Sequence, residues 1–156
     1  MTKIVELGTA ELTGRHEISL ELASPEDWPS DWQPSSRHFA LFLGWSEESL
    51  ANALDKGFAR RVTEAGIALL ACWGPGAEKV HDLFDDVLAP LNQRSDAVVV
   101  TTWHEDEKLE DAVEYFLVTA HPHTEYEQTC STWVMASLGD QDLAKRMRQA
   151  HAKVRQ

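Results

Sequence analysis

An α/β fold follows from three features of the chain. Four short apolar runs, FALFLGW, IALLACW, AVVVTTW and TWVMASL, have the length and composition of strands buried on both faces. Each is followed by a helix signal, and repeated strand-helix units build a parallel sheet with right-handed crossovers. A segment of different character, alternating instead of apolar throughout, precedes them. The prediction is a three-layer Rossmann-like or flavodoxin-like sandwich, four parallel strands with helices on both faces, extended by an N-terminal β-hairpin.

Residues 1–23 supply the hairpin. KIVELGTAEL is followed by a turn near Thr13-Gly14, then Ile18, Leu20 and Leu22 alternate with Glu17, Ser19 and Glu21. This reads as a half-exposed antiparallel ribbon that extends one sheet edge. Residues 24–37, rich in Pro, Ser and Asp, break regular structure and form a connector that Trp28 and Trp32 pin to the body. Residues 38–156 form the α/β core. Ser46 is placed as a helix N-cap with Glu47 and Glu48 in the first turn, Pro75 sits where a first helical residue would, and Asp140 caps the last helix. Val80, Leu83, Phe84, Val87, Leu88 and Leu91 share one helix face, as do Leu109, Ala112, Val113, Phe116 and Leu117; such stripes cover a sheet. With 156 residues the whole chain, 1–156, is expected to be a single domain.

Composition narrows the function classes. Hydrophobic content of 43% and charged content of 26% suit a globular protein, and no apolar run approaches a membrane span. The start, MTKIVELGTAEL, lacks a basic region followed by an apolar one, so a secretory signal is not expected and the predicted compartment is the cytoplasm. A net charge of −12 argues against nucleic acid, whose phosphates need Lys and Arg. The charge is uneven: residues 140–156 carry +3 and the remainder −15. An acidic body of this kind serves solubility, or recruits a partner with a basic surface. Cys72 and Cys130 form no CxxC pair and are expected to be unbridged thiols, with Cys130 placed at the opposite sheet edge from Cys72.

The stretch VVVTTWHED is the leading site candidate, because it leaves the core as a strand and ends in hydroxyls, an indole, an imidazole and carboxylates. Ligands in open α/β sheets bind beyond the carboxyl ends of the strands. With a flavodoxin-like order the first and third core strands are neighbours, so Trp45 and Trp103 would flank one crevice with Ser46 and His104 at its lip. Ligand-binding candidates are therefore Trp45, Ser46, Trp73, Thr102, Trp103, His104 and Glu105; the ordinary alternative is that these indoles pack against loops. Candidates for contact with a protein are Glu105, Asp106, Glu107, Glu110 and Asp111, in the acidic run EDEKLED that opens a helix.

Other motifs are weaker. Gly74-Pro75-Gly76 begins like GxGxxG, but Lys79 stands where the third glycine belongs, so no cofactor is expected. Cys72 and His104 as nucleophile and base are disfavoured if the first core strand separates theirs, and a buried, inert Cys72 is the simpler reading. His81 and Asp85 stand at i and i+4 beside Asp82 and Asp86; a surface ion pair is the ordinary reading, acid-base chemistry or a metal the other. His121-Pro122-His123 would offer two metal ligands, joined by His104 or Glu105, but a solvated loop is the simpler account and no metal site is expected. No catalytic residue is assigned.

The segments CWGPGAEKVHDLFDDV, TTWHEDEKLEDAVEYFL and YEQTCSTW resemble a family of small bacterial domains of unknown function, over about residues 38 to 139. The resemblance implies a bacterial origin and an α/β domain, and no activity. Two readings remain. One is an acidic cytoplasmic binding protein, such as an immunity protein or accessory factor that binds a basic protein. The other is an enzyme or sensor for a nucleotide-like small molecule that uses the crevice, with His104 or Glu105 as acid or base. A concave pocket that buries His104 and the nearby carboxylates would favour the second; an exposed acidic or apolar patch without a pocket would favour the first.

Overall fold

A computed structural model describes residues 2–156. Its strands are β1 (Thr2–Thr9), β2 (His16–Leu22), β3 (His38–Trp45), β4 (Ile67–Trp73), β5 (Val100–His104) and β6 (Cys130–Leu138). Its helices are α1 (Glu48–Ala53), α2 (Lys56–Glu64), α3 (Ala77–Arg94), α4 (Leu109–Glu114) and α5 (Gln141–Val154). The strands form one mixed sheet in the order β1-β2-β6-β3-β4-β5, parallel except for β1. This is the expected three-layer α/β sandwich with its hairpin. No helix among the described residues is long and apolar enough to cross a membrane.

Alternation along the strands sorts the core into two layers. Phe39, Leu41, Leu43 and Trp45 face α1, α2 and α3 with Phe58, Val80 and Phe84, and Ala40 and Phe42 face α4 and α5 with Leu109, Phe116 and Met147. Trp28 anchors the connector to the first layer, 6.1 Å from Phe39 and 6.0 Å from Phe58 between ring centroids. The helical stripes face the core as expected, with Leu83 and Val87 partly buried and Leu91 in the last turn of α3 exposed. The first crossover is two helices, because Asp55 accepts the Phe58 N–H and starts α2 afresh.

Two expectations about the sheet are corrected. The first core strand, β3, does not neighbour the third, β5, because β4 lies between them; the core order runs third, second, first, fourth. Nor is β2 half-exposed. It pairs in parallel with β6, and α5 covers its second face, so Glu17 and Ser19 are buried along with Ile18, Leu20 and Leu22. The charge that this places inside is met by α5. Glu17 accepts from His151 Nε2 at 2.9 Å and from Arg155 Nε at 2.9 Å, and Arg148 reaches Glu21 at 2.6 Å. Two of the basic residues at the end of the chain, Arg148 and Arg155, are thus spent on carboxylates of its own hairpin.

Candidate functional site

Beyond the carboxyl ends of β3, β4 and β5 lies a crevice of about 620 Å³. One wall is the turn from β4 into α3, where Gly74 and Gly76 adopt positive φ and bring the backbone close to β3. Only glycine fits at Gly74, since a Cβ there would lie 2.4 Å from the Trp45 carbonyl oxygen. The opposite wall is the loop after β5, which turns sharply at Asp106 with φ of 62°. At the floor of the sheet reversal, between β3 and β6, Ser46 donates to Asp140 at 2.9 Å. Ser46 is therefore not a helix cap; Glu47 occupies that position, and Asp140 caps α5 as expected.

The crevice is acidic. Glu48, Glu78, Asp82, Glu105, Asp106 and Glu107 line it, against Lys79 and Arg146. Lys79 is paired with Glu48 at 3.2 Å, and Arg146 with Glu110 at 3.4 Å. The N-terminus of α3, where a phosphate would find backbone donors, already holds an anion, because Glu105 Oε1 accepts the Glu78 N–H at 3.3 Å.

His104 is buried beneath this loop on the α4 side of β5. Its Nδ1 meets Glu107 Oε2 at 2.8 Å, its Nε2 meets Thr102 Oγ1 at 3.1 Å, and its ring lies 4.8 Å from that of Tyr115. Both nitrogens are engaged. Trp103, the preceding residue on the strand, points the other way onto α3 and packs tilted against the His81 ring at 4.4 Å, with 45% of its surface exposed. Trp45 is wholly buried and donates Nε1–H to the Pro75 carbonyl at 2.7 Å. The two indoles do not flank a common crevice, because β4 separates their strands. Trp73, paired with His104 across β4 and β5, is the indole that lines it, anchored by Nε1–H to the Glu107 carbonyl at 2.8 Å.

Of the ligand-binding candidates, Ser46, Trp73, His104 and Glu105 come together, and Trp45, Thr102 and Trp103 do not line the crevice. Of the acidic run, Glu105, Asp106 and Glu107 line it, while Glu110 and Asp111 lie in the first turn of α4 outside it. Glu48, Glu78 and Asp82 were missed, being scattered over two helices that only the β4 turn brings together. Cys72 is one strand from His104, but it is in register with Trp103 and faces the α3 layer, whereas His104 faces α4, so the sheet separates them. Burial separates them as well: the thiol is fully enclosed, and desolvation pushes its pKa far above the usual range, with Asp85 adding to the shift.

Among the described residues one group offers clustered metal donors, His81, Asp82 and Asp85, whose ligand atoms lie within 4.8 Å of one another. Its imidazole is already paired, Nδ1 with Asp82 at 3.1 Å and Nε2 with Asp85 at 3.4 Å, while Asp85 also accepts from Thr101 at 2.6 Å. These contacts fit the ion-pair reading. His121 and His123 lie in a separate cavity away from the crevice and do not join His104 or Glu105.

Fold and site define a small α/β domain with an acid-lined crevice at the carboxyl ends of its strands. The chain belongs to a family described as a domain of unknown function, DUF7684, whose pattern matches residues 18–154. The match extends beyond the segment 38–139, taking in most of β2 and all of α5. Neither a curated protein nor a solved structure matches the chain.

Proposed function

We propose that this is a bacterial cytoplasmic binding domain that seats a cationic group of a basic protein partner in the acidic crevice, as an immunity protein or accessory factor would. The observation that carries the reading is the convergence of six carboxylates on one concavity whose two cations are each paired with an acid. Such a field attracts a Lys or Arg side chain and raises its encounter rate. It repels the phosphates of a nucleotide, and Glu105 occupies one of the backbone donors they would use, the Glu78 N–H.

A second reading, an enzyme or sensor for a small molecule, draws on the buried His104 oriented by Glu107 inside a concave site. Its substrate would have to be cationic or neutral. The partner experiment separates the two. A basic protein captured by this domain should associate more slowly as salt rises, the Debye length being ~8 Å at physiological ionic strength. Glu78→Lys, inside the crevice, should slow association several-fold, and Asp111→Lys, an equal charge change outside it, should have a much smaller effect. Equal effects of the two variants, or a salt-independent rate, would refute the crevice as the contact site.

A further inference from the structure

At the other end of the strands, where β6 begins, lies a cavity of about 420 Å³ whose lining is not dominated by acids. Arg15 lines it, its guanidinium carbon 3.7 Å from the centroid of the Trp133 ring. One of its N–H groups is fixed by the Leu117 carbonyl at 3.2 Å. That carbonyl lies in a π-helical turn, Tyr115–Thr119, and such turns recur at functional sites. Stacking and this bond hold the fork in place, but among the described residues no carboxylate forms an ion pair with it. Glu17, two residues along, is taken by Arg155 and His151. Burial, and then the nearby Arg155, lower the Arg15 pKa, a penalty on its charge that an anion would relieve.

The rest of the lining supplies donors. His121 and His123 flank Pro122 on the loop that leaves the π-helical turn, and Thr13, Thr124 and Ser131 add hydroxyls. His123 Nδ1 accepts the Glu125 N–H at 3.1 Å, so the neutral ring carries its proton on Nε2 as a donor. Glu127 is the single carboxylate. In a chain of net −12 this is a concentration of donors around a pre-oriented guanidinium.

We propose that this cavity is an oxyanion site that binds a phosphate group, with Arg15 as its fork and the His121 and His123 imidazoles beside it. Phosphate suits the lining better than a carboxylate does, because it offers three or more acceptor oxygens to a guanidinium, imidazoles and hydroxyls together. Arg15 is a binding residue, and Trp133 positions it. The site is independent of the acidic crevice.

The test is titration of the purified domain with inorganic phosphate at constant ionic strength, followed by amide and side-chain NMR shifts. Saturable shifts at Arg15, His123 and Ser131 are expected, with chloride producing none of them. Arg15→Gln should weaken binding by at least about tenfold, as expected for loss of a charge-assisted bidentate contact. Arg15→Lys should retain part of it, and His123→Gln should cost several-fold. If Arg15→Gln does not fold, Arg15→Lys and His123→Gln decide. Non-saturating shifts, identical shifts with chloride, or wild-type affinity in the folded variants would overturn the proposal.

Discussion

Trp103 and His104 are adjacent in sequence and point to opposite faces of β5, the indole half-exposed on α3 and the imidazole buried and hydrogen-bonded at both nitrogens. The sequence places His104 at the lip of a crevice, whereas the structure buries it more deeply than the indole beside it. Replacing His104 by Ala removes two hydrogen bonds and leaves Thr102 and a void behind, at a cost of about 2–3 kcal/mol. Trp103→Ala loses packing on one side only, about 1 kcal/mol. Thermal melts should therefore place His104→Ala below Trp103→Ala. The opposite order would show that the hydrogen bonds of His104 contribute little.

At the turn into α3, Gly74→Ala forces a Cβ against the Trp45 carbonyl at a φ of 135°, which L residues rarely adopt. Relief requires moving the segment whose Pro75 carbonyl holds the Trp45 indole. The expected loss is about 3 kcal/mol. It should appear as a lowered melting temperature together with a shift in tryptophan emission, and an unchanged melt would show that this turn is plastic.

Thiol reactivity tests the two cysteines. Both are free; burial pushes Cys72 far up, and pushes Cys130 up to about 11 against an opposing pull from Arg15. Thiolate is the reactive form, so neither should react quickly with a disulfide reagent in the native state at neutral pH, and Cys130, the less enclosed, should go first. Their strands are separated only by β3, so opposite sheet edges are not what keeps them apart. Through β3 the register aligns Cys72 with Ala136, six positions along β6 from Cys130, which is roughly 20 Å at the usual rise per residue. Rapid labelling of Cys72 would indicate local opening of β4.

What the sequence disclosed, and what it hid, follows from the range of the forces. The apolar runs Phe39–Trp45 and Ile67–Trp73 announce strands because burial on both faces leaves no polar position, and Asp140 announces its helix because capping is local. Strand order depends on which crossover packs where, and no residue near Trp45 or Trp103 encodes that β4 will separate them. The acidic crevice was half legible: Glu105, Asp106 and Glu107 are contiguous, whereas Glu48, Glu78 and Asp82 converge through the backbone approach at Gly74. Glu17 looked like an outward-facing strand residue because its neighbours alternate correctly. Its burial is set by α5, more than a hundred residues away in the chain.

That buried carboxylate gives the protein a predictable acid response. Burial alone would raise the pKa of Glu17, but hydrogen bonds from Arg155 and His151, with their charges, outweigh it and hold the group at about 2. An unfolded glutamate titrates near ~4.3, so the native state binds this proton more weakly than the unfolded one does. A depressed folded pKa contributes stability that is complete above that unfolded value and is lost as pH falls toward about 2. Glu17→Gln removes the dependence and leaves Arg155 and His151 without their anion, which should cost about 3 kcal/mol at neutral pH. Urea melts from pH 6 down to pH 2.5 should then show the wild type losing its advantage over the variant as the solution becomes acidic. A constant difference across that range would mean that Glu17 titrates normally, and that the pairing of the hairpin with α5 owes its strength to packing and not to charge.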